Sequence, residues 1–114
     1  MDLSQHKCVP CEGGTKPLTR DEYADYLASL PEWTVESDRE LDREFIFKNF
    51  HAAVAFINAV AQLAEQEKHH PDILLHGWNK VKIVLTTHAI KGLSINDFIL
   101  ATKINVIHKH LPAA

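Results

Sequence analysis

Histidines carry most of the chemistry this chain could do. There are eight in 114 residues, and five of them, His51, His69, His70, His76 and His88, fall in the middle of the sequence. His69 and His70 form a corner with Pro71 and Asp72, and His88 closes the run Thr86-Thr87-His88. An imidazole titrates at about 6.5, so it gives or takes a proton at neutral pH without large tuning. Three of them in one pocket would suit proton transfer, with Asp72 or Asp97 able to orient one ring through a charge-assisted hydrogen bond. The same corner also suits a polar helix end, and residue types alone do not separate the two roles. His51 and His76 are expected on the surface. His108 and His110 fit the carbonyl end of a helix, where cations are favoured.

Other chemistries find less support. The chain has no Gly-x-Ser-x-Gly elbow for a nucleophile. Cys8 and Cys11 stand too close together to staple a fold, and a reducing compartment keeps them as thiols. With His6 they could offer three ligands to zinc, fewer than a structural site usually uses. No second Cys-x-x-Cys follows, so an arm without metal is the expectation. The net charge of -3 provides no basic footprint for nucleic acid. No apolar run reaches the roughly 20 residues that span a bilayer, and Met1 to Lys7 lacks the pattern of a secretory signal. A cytoplasmic protein with neither membrane nor nucleic-acid partner is expected. With 46% apolar and 24% charged residues the composition is that of one folded domain. Residues 1–17, rich in Pro, Gly and Cys, read as an irregular arm, and residues 18–114 as a single domain.

The elements that must position the histidines follow from periodicity. Thr19 and Glu22 form a capping box before Tyr23, Tyr26, Leu27 and Leu30, and Pro31 stops that helix. Trp33 and Val35 alternate with polar neighbours. After a polar turn, Leu41, Arg43, Phe45 and Phe47 share one face of a second strand. Asn49 caps a longer helix whose apolar stripe is read as Phe50, Val54, Ile57, Ala61 and Ala64, ending before Pro71. Ile73 to Leu75 is a third strand, and Val81, Ile83 and Leu85 mark the inward face of a fourth. If the fourth strand persists, alternation puts His88 on its other face, toward a groove or solvent. Gly92 breaks the chain, and Ser94 with Asp97 caps a last helix through Ile95, Phe98, Ile99, Thr102, Val106 and Ile107. The predicted fold is α+β. It is a four-stranded antiparallel sheet with helices packed on one face, in the order strand-strand-helix-strand-strand-helix after an N-terminal helix. Pairing of the third and fourth strands would bring His69, His70 and His88 together. The open sheet edges make pairing between subunits an expectation.

The ordered set His69-His70-Pro71-Asp72, Trp78-Asn79-Lys80-Val81, Thr87-His88, Gly92-Leu93-Ser94, Asp97 and Ala101 resembles the pterin-4a-carbinolamine dehydratases. The likeness runs from Cys8 to Ile107, and the arm with Cys8, Cys11 and Pro17-Leu18-Thr19 resembles bacterial and plant members. The resemblance implies an antiparallel four-stranded sheet with helices on one face, assembled as a homodimer or homotetramer. It implies dehydration of a 4a-hydroxy-tetrahydropterin to a quinonoid dihydropterin, in the recycling of a cofactor used by aromatic amino acid hydroxylases, with no cofactor of its own. By position, His69 and His88 match the general acid and base, and His70 the histidine that mainly holds the pterin. Asp97 matches an acidic position near the pocket, and Asp97, Asp72 and Trp78 join His70 in the expected substrate-binding set. The chain departs from the family at Ile73, where many members carry an aromatic residue. Its stretch from Asp72 to Gly77 is also one residue longer than in the animal form. The rival reading is a non-catalytic assembly or dimerisation module on the same fold.

Overall fold

Two hairpins, each followed by a helix, build the sheet and its cover. The computed structural model describes residues 3–9 and 15–111. Helix α1 spans Arg20–Ala28, strands β1 and β2 span Thr34–Glu36 and Glu40–Ile46, and helix α2 spans Phe50–Glu67. Strands β3 (Asp72–His76) and β4 (Lys80–Leu85) follow, then a 3₁₀ turn at His88–Ile90 and helix α3 at Ile95–His110. All pairings are antiparallel in the order β1-β2-β4-β3, with Leu41 opposite Leu85 and Ile73 opposite Ile83. The third and fourth strands pair as expected, and the α+β architecture is the one read from the sequence.

Period-two alternation sends Leu41, Phe45, Val81, Ile83 and Leu85 inward, all at 2% exposure or less. They meet Phe56 and Val60 of α2 and Phe98, Leu100 and Ile104 of α3, equally buried. Arg43 shares that inward face. Its guanidinium lies 4.2 Å from the centre of the Phe45 ring and donates a 2.7 Å hydrogen bond to Asn105. All three expected N-caps are present: capping boxes at Thr19–Glu22 and Ser94–Asp97, and the Asn49 side chain accepting from the Ala52 amide.

The buried stripe of α2 differs from the one read in the sequence. Ala52, Ala53, Phe56, Val60 and Ala64 are buried, whereas Phe50 and Ala61 are exposed. This helix is apolar around most of its circumference, so several stripes of helical period overlap. Tertiary packing chooses the one that brings Phe56 within 4.7 Å of Phe45 and 5.0 Å of Phe47, between ring centres.

The arm is irregular but not detached. Leu3 is 2% exposed and belongs to the core. Further on, the Leu18 amide donates to the Leu93 carbonyl at 2.8 Å. Pro17 lies so close to Gly92 that a Cβ there would sit 2.6 Å from the proline Cβ, which explains why that position is a glycine.

Candidate active site

Helix α2 delivers the first two histidines. It ends at Lys68, which takes a left-handed conformation with φ 55° and donates its amide to the Ala64 carbonyl. The His69 amide reaches the same carbonyl at 3.2 Å. A non-glycine residue in that conformation costs roughly 1–2 kcal/mol. The turn throws the chain back toward the N-terminus of α3, where the His69 ring meets Asp97. His70, exposed, sets its Nε2 2.5 Å from Glu65 Oε2.

Asp97 is completely buried, and both of its oxygens are engaged. Oδ1 lies 2.7 Å from His69 Nε2, and Oδ2 accepts from the Thr87 hydroxyl and the Ser94 amide, each at 2.9 Å. Since Thr87 donates to Asp97, its oxygen accepts in turn from the Ser94 hydroxyl at 2.8 Å. The first turn of α3 adds the favourable field of its dipole to a carboxylate there. An acceptor-only carboxylate requires His69 to carry hydrogen on Nε2, so Nδ1 is the nitrogen left for a ligand.

Strand β4 delivers the third histidine. Its inward alternation continues one step past the strand to Thr87, which is buried. The chain then leaves the sheet. Thr87 and Gly92 bridge, and His88 opens the 3₁₀ turn with its side chain exposed. The strand does not persist to His88 as the parity reading required, yet the residue still faces away from the core.

His69, His70 and His88 line one cavity of about 450 Å³, shared with Thr86, Thr87 and Asn96. That volume is in the range that encloses small organic ligands. Asp72, Trp78 and Asp97, expected with His70 to bind substrate, are not among the lining residues, Asp97 being fully buried. Asp72 starts β3 on an exposed position, and Trp78, 61% exposed, belongs to the β3–β4 turn at the other end of that hairpin. Thr87 and Asn96 were not expected in the site. Thr87 stood beside His88 in the motif, and Asn96 had no signal beyond its place next to Asp97.

The remaining histidines divide. His51 is exposed, and His76 pairs with Glu44 on the sheet surface. His108 is not explained by the helix dipole. Its ring packs edge-on against Phe45, Phe47 and Phe56 at 4.9–5.9 Å between centres. Burial, then the nearby Arg43, lowers its pKa below 6.5.

Of the arm cysteines, Cys8 is half-buried and Cys11 lies outside the described residues. Among the described residues no group of three or more His, Cys, Asp or Glu side chains is arranged to hold a metal ion. No helix among them is long and apolar enough to cross a membrane.

An α+β sandwich with a carboxylate-oriented histidine among others in a small cavity defines a class of site suited to general acid–base chemistry. Residues 16–107 match the family model for pterin 4 alpha carbinolamine dehydratase, and the chain belongs to that family. A protein of Alkaliphilus metalliredigens that bears the family's name is 51% identical over 91% of this chain and 94% of its own. One from Nitrosomonas eutropha is 45% identical over 93% of each. Among solved structures, a transcriptional coactivator/pterin dehydratase from Brucella melitensis superposes with a TM-score of 0.74. It is 33% identical and covers 81% of this chain and 98% of its own. A pterin dehydratase-like protein described as a RuBisCO assembly factor of the alpha-carboxysome shares the fold, with a TM-score of 0.57 and 24% identity, over 67% of this chain and 88% of its own.

Proposed function

We propose that the protein dehydrates a 4a-hydroxy-tetrahydropterin to a quinonoid dihydropterin, with His69 and His88 as the acid–base pair and His70 holding the pterin. The observation that carries this reading is the meeting of three histidines in one cavity, in a chain of this family. In the step, one imidazolium protonates the departing hydroxyl, the C4a–O bond breaks, and water leaves. A second imidazole takes the N5 proton while the N5 electrons close the C4a=N5 double bond. One proton is given and one taken, with no net oxidation. Each well-positioned acid or base contributes about 10²–10⁴-fold.

Asp97 supports this division by fixing the His69 ring, which lowers the cost of orienting the acid or base in each turnover. The wider proposal places the protein in the cytoplasm, recycling pterin for an aromatic amino acid hydroxylase. The open edges β1 and β3 suit assembly as a homodimer or homotetramer. The rival reading, a non-catalytic assembly module, has the fold of the RuBisCO assembly factor in its favour. That reading assigns no role to the three histidines that line the cavity.

The test is to generate 4a-hydroxy-tetrahydropterin in situ and follow its absorbance with and without the protein. Acceleration over the spontaneous loss of water supports the enzyme. A folded protein that leaves the rate unchanged contradicts it and favours the assembly module.

A further inference from the structure

The arm meets the histidine cavity at Cys8 and Val9, and a dedicated set of side chains holds it there. Asn96, 3% exposed at the start of α3, grips Val9 at two points. Its Oδ1 accepts from the Val9 amide at 2.9 Å, and its Nδ2 donates to the Val9 carbonyl at 2.5 Å. This side-chain amide thereby copies the pairing of a neighbouring strand. The preceding amide, of Cys8, donates to Glu67 Oε1 at 2.9 Å, and the Cys8 thiol points at the Asn96 carbonyl at 3.6 Å. Glu67 is itself fixed from the other side, because its Oε2 receives Lys103 Nζ at 2.8 Å. That ion pair is largely enclosed, with side-chain exposures of 16% for Lys103 and 10% for Glu67. Burial alone would raise the Glu67 pKa, but the hydrogen bonds from Lys103 and the Cys8 amide outweigh it and keep it low.

This much buried polar bonding, spent on an irregular segment, needs a reason. The Leu3 anchor already attaches the segment to the core. What the clamp adds is a definite position for Cys8 and Val9 on the wall of the cavity that holds His69, His70 and His88. Val9, 56% exposed, is among the six large apolar side chains left exposed among the described residues. Burial, followed by the Glu67 charge, pushes the Cys8 thiol up to about 12, so at neutral pH it is an uncharged group. Together the two residues offer the bicyclic pterin skeleton an apolar surface beside the polar histidine side, the mixture typical of small-molecule sites.

We propose that Val9 is a substrate-binding residue, that Cys8 and Val9 form an apolar wall against which the pterin ring packs, and that Asn96 and Glu67 are positioning residues holding that wall. The proposal rests on the dehydratase reading only for the identity of the ligand. Loss of the wall affects binding rather than proton transfer, because the hydrogen bonds of Cys8 and Val9 run to Glu67 and Asn96 and those of Asp97 run to His69, Thr87 and Ser94.

The test combines hydrogen exchange, calorimetric binding of 6-methyltetrahydropterin and turnover, for the wild type, Val9→Ser and Asn96→Ala. Val9→Ser changes an exposed side chain and poses no threat to folding. It should weaken pterin binding and raise KM by about three- to tenfold, the size of one lost apolar contact, with kcat retained. Asn96→Ala should do the same and also speed exchange of the Cys8 and Val9 amides, a signal independent of activity. Pterin affinity unchanged within twofold in both variants would overturn the wall, and unchanged exchange in Asn96→Ala would overturn the clamp. A wild type that binds the pterin but does not turn it over sinks the dehydratase reading and leaves the wall standing. A wild type that binds no pterin sinks the wall.

Discussion

At the N-terminus of α3, His69 meets a fully buried carboxylate at 2.7 Å. At the C-terminus of the same helix, the His108 ring sits 4.9 Å from Phe45 with Phe47 and Phe56 behind it. The first ring is held by a hydrogen bond whose acceptor is itself fixed by Thr87 and Ser94, and the residue lines the cavity. The second ring is held by apolar contact and is kept neutral by burial. Position along a helix predicts neither. The dipole argument anticipated a cation at His108, yet partial burial and an adjacent arginine dominate there, because the dipole acts weakly and three aromatic rings cover one side of the imidazole. What a histidine does here is set by its nearest neighbours rather than by the element it rides on.

The contrast can be sharpened by substitution, and the largest stability effect belongs to the aromatic end. Phe56→Ala removes a fully buried ring and should cost about 3–5 kcal/mol in denaturant unfolding. The dehydration rate per folded molecule should barely change. A matching fall in that rate would show that the two ends of α3 are not independent.

At the polar end, Asp97→Asn should lower kcat by about 10²–10⁴-fold while leaving the fold intact, as circular dichroism would report. The Thr87 and Ser94 donors hold the amide oxygen on their side. Its NH₂ then faces His69 Nε2 and forces the ring into the opposite tautomer. Thr87→Val, which removes one of the donors to Asp97, should cost about 1 kcal/mol of stability and slow turnover only a few-fold.

The smallest effect concerns pH. Because the His108 pKa is lowered in the folded state, the unfolded chain takes up its proton first as the solution is acidified. Stability should therefore fall as pH drops through about 6.5 and continue to fall until the ring protonates in the folded protein. His108→Leu should remove that slope from a plot of melting temperature against pH between 7 and 5. An unchanged slope would mean that other groups produce it.

Much of the fold was legible because its signals are local. The caps at Thr19, Asn49 and Ser94, and the alternation of Val81, Ile83 and Leu85, depend on neighbours a few residues away. The stripe of α2 was not, since a helix apolar on several sides leaves the choice to partners elsewhere in the chain, here Phe45 and Phe47. Among site residues, Asp97 was readable twice over, as a cap and as a partner for an imidazole, and the structure unites the two roles in one carboxylate. Asn96, Glu67 and the docking of Cys8 and Val9 were not readable. Their contacts join residues 59 to 88 positions apart, and no periodicity links an irregular arm to a helix start. Trp78 shows the opposite relation between motif and place. A residue prominent in a motif sits in a turn at the far end of the β3–β4 hairpin from the cavity.

The most direct test of the comparison is one assay on four proteins: the wild type, His69→Ala, His88→Ala and His108→Leu. With 4a-hydroxy-tetrahydropterin generated in situ, the wild type and His108→Leu should both accelerate dehydration, and His69→Ala and His88→Ala should each fall by at least about tenfold. No acceleration by the folded wild type, or full activity in both alanine variants, would contradict the assignment of proton transfer to the polar end of α3.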